Sequence, residues 1–366
     1  MTFITGVFGT ILSILLFALI LGILVFVHEF GHFITAKKSG VHIHEFSIGM
    51  GPLVKTIEGK DGINYSIRAF PIGGFVQMAG EVYEDDETKT IPKEKFMCNR
   101  PWYQRLIILC AGVFNNFLLA ILLFFFLTLA NDVVRITPII DTVEENSPAE
   151  KAGLKSGDRI MAINGEKTIS WDNASLLLIF DEDETEYTFT IKHKDGKKED
   201  IKVTAEIKED KETKTKQKRI GVTKGMLDKK DNAIWTSFKY SVEKVYTTID
   251  YMFYTVINLF TGKVPLNSLS GPVGIYEVVD ETRKDENALA NIVNLTAILS
   301  VNLGLMNILP IPALDGGHVL FLLIELISRK KVNEKLEGIT TTIFFFLLML
   351  LMLYITIKDV IVMILR

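Results

Sequence analysis

Residues 9–38 read GTILSILLFALILGILVFVHEFGHFITAKK. From Met1 to Val27 there is no Asp, Glu, Lys or Arg, and the apolar run ends directly on His28, Glu29 and His32. About 20 apolar residues in a helix cross roughly 30 Å of hydrocarbon, so the run predicts a membrane span. A cleaved signal peptide fits less well, because no basic residue precedes Lys37 and the run outlasts an ordinary signal core. Three ionisable side chains at the end of a span are costly and mark function. On a helix, positions i and i+4 share a face. Both imidazoles therefore reach one ion, and Glu29 stands beside them to take a proton from a metal-bound water. This His-Glu-x-x-His spacing is the zinc metallopeptidase arrangement. With only six histidines in the chain, a chance match is a weak alternative.

Three more stretches lack charge over spanning lengths: Leu106 to Asn131, Asn287 to Leu314, and Gly338 to Ile357. Unpaired backbone groups are not tolerated in lipid, so each reads as a helix. The fold class expected is a polytopic α-helical membrane protein with about four transmembrane helices. A mean hydropathy of +0.28 over 366 residues agrees. Cytoplasmic loops collect Lys and Arg. Lys37 and Lys38, then Lys93, Lys95, Arg100 and Arg105, then Arg329, Lys330 and Lys331, all place the same side inside. The N-terminus and residues 132–286 then lie outside. The net charge of −4 says little, no nucleic-acid partner is expected, and Cys98 and Cys110 need form no disulfide.

The domains expected are a first span over 1–36, a β-rich membrane-associated region over 37–101 and a second span over 102–131. An external α+β domain over 135–225, an amphipathic helix over 233–262, a third membrane segment over 287–328 and a fourth span over 338–362 follow. In the β-rich region, Val54 to Ile57, Asn64 to Ala69 and Gly74 to Ala79 read as short strands separated by Gly and Pro. Glu84 to Lys89 reads as an exposed acidic loop. The external domain alternates strand-like runs with turns; Ser147 to Gly153 reads as a capped short helix and Asn164-Gly165 as a hairpin turn. Lys208 to Arg219 is charged and expected to be solvated. Trp235, Phe238, Val242, Val245, Ile249, Met252, Val256 and Phe260 recur at helical spacing, as in an amphipathic helix that lies at the bilayer surface or packs on other helices.

Catalytic zinc usually takes three protein ligands and a water. Asp315 is the best candidate for the third. It follows Asn307-Ile308-Leu309-Pro310-Ile311-Pro312-Ala313-Leu314 and precedes Gly316 and Gly317. Two prolines break the helix, and irregular backbone at membrane depth is tolerated only where it is buried or lines a cavity. His318 is a weaker third ligand. Taken alone, the segment equally suits a kinked helix with a capping Asp, or an ion-transport site.

The two motifs together resemble the signatures of site-2 proteases, the intramembrane zinc metalloproteases. Phe46 to Pro52 resembles that family's segment after the first span, Pro71 to Val76 its membrane-associated β-hairpin, and Leu269 to Ile275 the stretch before its third span. Ser147 to Gly165 resembles the core of a PDZ domain, as in the bacterial RseP/RasP-like branch with one such domain. One departure is Val113, where the family usually has Pro.

The resemblance implies one Zn2+ per chain at His28, His32 and Asp315, with Glu29 as general base. It implies that Asn307 binds the substrate backbone. The strand Gly74 to Ala79, with Gly74, Phe75, Val76 and Gln77, is the expected edge that holds the substrate extended by strand addition. It further implies cleavage of single-span membrane proteins already trimmed by another protease, such as anti-sigma factors or remnant signal peptides, in a bacterial inner membrane. Two rival readings are a catalytically silent membrane PDZ scaffold, which would have to lack one of the four site residues, and a metal or proton transporter, which would not need Glu29 beside His28.

Overall fold

The structure is a computed structural model and describes residues 2–80, 91–179, 185–209, 216–229, 232–262 and 269–365. The acidic stretch Glu84 to Lys89 lies outside them. The chain divides into two compact units, Met1–Leu123 with Asn267–Arg366, and Phe124–Leu266.

The first unit begins with α1 (Thr2–Lys38), followed by β1 (Ile43–Glu58), β2 (Asn64–Met78) and α2 (Trp102–Ala130), which runs on into the second unit. After the second unit come α6 (Pro272–Lys284), α7 (Ala288–Ile308), α8 (Asp315–Ser328) and α9 (Glu334–Leu365). Four of these, α1, α2, α7 and α9, are long and apolar enough to cross a membrane. Between 11% and 39% of their most apolar windows is buried in protein, which leaves broad apolar flanks that only lipid suits. The molecule is a membrane protein with added β-structure.

Residues 43–78 are not three short strands but two long ones. Gly49, Gly51 and Gly73 have φ of 85°, 84° and 92° and bend the strands without ending them. A Cβ at Gly49 would stand 2.5 Å from the Phe70 carbonyl oxygen, so only glycine fits that bend. The strands also pair twice. Phe46 lies opposite both Val76 and Tyr65, and Ser47 opposite both Phe75 and Ser66. Part of β2 therefore flanks β1 on each side, and residues 74–78 form an outer edge. One face of this sheet packs on α1 through Phe46, which contacts Phe26 and Phe33. On the other, Arg68 donates to Ser47 Oγ, to the Gly51 carbonyl and to both oxygens of Glu45.

Asn287 to Ser328 divides in two. α7 ends where Pro310 and Pro312 withdraw two backbone donors and force Leu309 into an extended conformation (φ −60°, ψ 142°). The connection is held by Leu314 N–H on the Ile311 carbonyl and Gly317 N–H on the Leu314 carbonyl, both 2.9 Å. Thr341 of α9 donates to the Pro312 carbonyl at 3.1 Å. A Cβ at Gly316 would stand 2.3 Å from the Ile308 carbonyl oxygen, and one at Gly317 would stand 2.4 Å from the Ile311 carbonyl oxygen. The two glycines thus let α8 start directly against the loop.

Residues 272–284, to which no helix is assigned from the sequence, form α6. It is fixed at both ends. Ser13 of α1 donates to Asp280 at 2.6 Å and accepts from Arg283 Nε at 2.7 Å. Asp359 of α9 accepts from the backbone N–H groups of Gly271 and Gly274 at the other end.

The second unit contains β3 (Ile140–Val143), α3 (Pro148–Ala152), β4 (Arg159–Ile163), β5 (Glu166–Lys167), α4 (Trp171–Ile179), β6 (Glu186–Lys192), β7 (Lys198–Thr204), β8 (Glu206–Glu209), β9 (Lys216–Arg219), β10 (Val222–Lys224) and α5 (Ala233–Phe260). One sheet has the order β5-β4-β6-β7, β10 pairs with β3, and β8 pairs with β9. The charged stretch from Lys208 thus ends in paired strands, while residues 210–215 lie outside the described segments. Ser147 caps α3 by accepting from Glu150 N–H, and Gly153 closes it with φ 92°. Tyr187, Phe189, Ile191 and Val203 fill the core. α5 buries small polar groups, Ser237, Ser241, Thr247 and Thr248, and exposes Trp235, Phe238, Val242 and Phe253. That distribution is the inverse of a water-facing helix.

Candidate active site

His28 and His32 lie one turn apart on α1, with Nε2 atoms 3.3 Å apart, and both are buried. Asp315, at the first turn of α8, brings Oδ2 to 3.0 Å from His28 Nε2 and 3.3 Å from His32 Nε2. The helix N-terminus favours a carboxylate at that position. The structure therefore brings together three residues from two helices that are separated by most of the chain. These three are the group among the described residues whose ligand atoms converge closely enough to hold a metal ion.

Two observations test whether a metal fits. Asp315 Oδ2 is buried and has no hydrogen-bond donor. Neutral imidazoles that present lone pairs at Nε2 leave it unsatisfied, and a cation answers all three atoms at once. The spacing also suits zinc, because ligands ~2.0–2.1 Å from a tetrahedral ion stand about 3.3 Å apart. The second observation is Gly112 on α2. A Cβ there would lie 2.4 Å from His32 Nε2 and 2.7 Å from His28 Nε2, so this glycine keeps clear the space into which the nitrogens point. The residues present fit a zinc ion.

Each histidine is oriented from behind. His32 Nδ1 lies 2.8 Å from the Ile108 carbonyl, and His28 Nδ1 lies 3.2 Å from the Asn116 carboxamide. Asn115 donates to the Val27 carbonyl at 3.1 Å, and a Cβ on Gly31 would stand 2.4 Å from the Ala111 carbonyl oxygen. The two helices touch backbone to backbone beside the site. Asn307 Nδ2 lies 3.5 Å from His28 Nε2. His318 lies 3.1 Å from Glu337 through Nδ1.

Glu29 lies against the edge formed by residues 74–78. Its carboxylate accepts from the Val76 backbone N–H, and a Cβ on Gly74 would stand 3.7 Å from Glu29 Cγ. Alternation then turns Phe75 and Gln77 to the other face of the sheet. Phe75 lies under the Arg68 guanidinium at 5.0 Å, and Gln77 pairs with Glu45.

Sequence reasoning leaves Gly112 and Asn116 without a role. The available sign is Asn115-Asn116 in the middle of an apolar span, where buried amides are expensive without a task.

Two imidazoles and a glutamate on one apolar helix, met by a carboxylate from a broken one with space for an ion between them, are the arrangement of a membrane metalloprotease. The chain belongs to peptidase family M50, the site-2 protease family, whose profile matches residues 16–351. A protein of Clostridium acetobutylicum named as a zinc metalloprotease is 37% identical over 97% of this chain and 98% of its own. The regulator of sigma-W protease RasP of Bacillus subtilis is 30% identical over 95% of this chain and 98% of its own. The zinc metalloprotease RasP of Bacillus licheniformis is 29% identical over the same shares. The chain is an intramembrane zinc metalloprotease.

Proposed function

We propose that His28, His32 and Asp315 hold the zinc and that Glu29 is the general base for hydrolysis of a peptide bond in a single-span membrane protein. The observation that carries this reading is the convergence of three lone-pair atoms, within 4.8 Å of one another, one helical position from Glu29. Zinc bound there would supply Lewis-acid polarisation of a carbonyl and would lower the pKa of a water toward about 7. Glu29 takes a proton from the attacking water as the water oxygen bonds to the scissile carbon, and keeps it on its carboxyl. The C–N bond then breaks, and Glu29 returns the proton to the departing nitrogen. Asn307, beside His28, donates its amide to the substrate main chain.

A helical substrate hides its carbonyls within its own hydrogen bonds and must first be drawn out. The edge at Gly74, Phe75, Val76 and Gln77 suits strand addition, with main-chain bonds to the extended substrate. The substrates fitting this site are single-span proteins already shortened by another protease. The name of the Bacillus subtilis relative, a regulator of sigma-W, supports anti-sigma factors among them; remnant signal peptides share the chemistry. The bacterial relatives support a bacterial inner membrane, and the basic clusters that flank the spans support the N-terminus and residues 132–286 outside and the site toward the cytoplasm.

Detergent-purified protein is expected to cleave a trimmed single-span substrate, to stop on addition of a zinc chelator and to resume when zinc is restored. Cleavage that continues after the metal is stripped would remove the metalloprotease reading.

Residues 135–225 serve, in this proposal, as a PDZ-like filter that keeps intact substrates out. Protein lacking residues 137–225 is then expected to cleave untrimmed and trimmed substrates at similar rates. Retained preference for the trimmed form would reduce the segment to a spacer.

A further inference from the structure

Asn116 is fully buried in α2, and its two ends do different things. Its main-chain carbonyl accepts a hydrogen bond of 2.8 Å from Ser300 Oγ of α7. Its side chain faces His28, with Nδ2 3.2 Å from Nδ1, while Oδ1 is buried without a partner. An imidazole that commits Nε2 to a metal carries its proton on Nδ1 and needs an acceptor behind it. The two ends of a carboxamide are nearly equal in size, so half a turn about its terminal torsion exchanges them. That turn places the orphan oxygen on Nδ1–H and turns an unsatisfied acceptor into the support His28 lacks. His32 receives the same support from the Ile108 carbonyl, which no substitution can remove.

We propose that Asn116 is the positioning residue of His28: Oδ1 accepts the Nδ1 proton, fixes the tautomer that presents Nε2 to zinc, and sets the ring plane. This rests on the reading of His28 as a zinc ligand. Ser300 extends the support, because its bond to the Asn116 carbonyl joins this part of α2 to α7, the helix that carries Asn307.

The test measures zinc affinity of the full-length protein in detergent by competition with a chromophoric chelator, together with the ligand-field spectrum of the cobalt(II) form. Asn116→Leu, which has no acceptor, is expected to weaken zinc about 10–100-fold. Asn116→Asp, which keeps an acceptor at either oxygen, is expected to remain within a few-fold of wild type and to shift the cobalt bands, because the acceptor behind His28 becomes more basic. Asn115→Ala removes only the bond to the Val27 carbonyl and should leave zinc affinity unchanged, whatever it does to thermal stability. Equal zinc affinity in Asn116→Leu and wild type would overturn the proposal. An equal loss in the Leu and Asp variants, with cobalt spectra unmoved, would also overturn it by showing a packing role alone. The His28→Ala protein separates the two levels: if it kept full affinity, the ligand assignment would fail before the role of Asn116 was reached.

Discussion

Glu29→Gln protein is expected to fold, bind one zinc and hydrolyse its substrate roughly 10²–10⁴-fold more slowly than wild type, the range of a lost general base. The amide keeps the size of the carboxylate and can still sit against the Val76 edge, but it cannot accept a proton. Because the proposed metal ligands are untouched, zinc content measured by atomic absorption should match wild type. The kinetic signature should be a fall in kcat with little change in KM, since Glu29 acts on the water and not on substrate binding. Turnover close to wild type would strip Glu29 of its role. Loss of zinc together with activity would show that the carboxylate maintains the site instead of working in it.

Gly112→Ala is expected to abolish zinc binding and with it proteolysis, even though alanine is favoured over glycine in a helix by roughly 1 kcal/mol. The methyl group would stand 2.4 Å from His32 Nε2 and 2.7 Å from His28 Nε2. Relief would require α2 to move away from α1, which stretches the Asn115 bond to the Val27 carbonyl and the contact of His32 with the Ile108 carbonyl. The comparison is Gly338→Ala in α9, where a Cβ meets nothing within 4 Å. That protein should keep its zinc and gain slightly in thermal stability. If Gly112→Ala bound zinc as well as Gly338→Ala does, the space beside the imidazoles would not be where the ion sits.

These expectations show which parts of the molecule can be read from the sequence. His28, Glu29, His32 and Asp315 announce themselves because ionisable groups at the ends of apolar runs are too costly to persist without a task. Gly112 and Asn116 do not, because their roles exist only once α1 and α2 approach to backbone contact, and no periodicity encodes that distance. The region from Ile43 to Met78 misleads for a local reason. Its glycines have the backbone of turn residues, yet here they bend strands that continue past them, since pairing on both sides of Phe46 outweighs the local preference. α6 is hidden because Asp280, Glu281, Arg283 and Lys284 crowd its last turns and look like loop. Asp280, Arg283 and Lys284 are in fact tied to Ser13 or to one another. The break between α7 and α8 is legible from two prolines, whereas the close seating of α8 on the loop needs the positions of the Ile308 and Ile311 carbonyl oxygens.

His32 and Asp315 are 283 positions apart in the chain (315 − 32). The two histidines of the proposed metal site leave the ribosome long before the aspartate does. A chain made only as far as α7 holds both imidazoles but lacks the carboxylate that completes the set. In the proposed reading the site is therefore assembled only when α8 has docked on α1, so that activity follows folding of the membrane unit and cannot precede it.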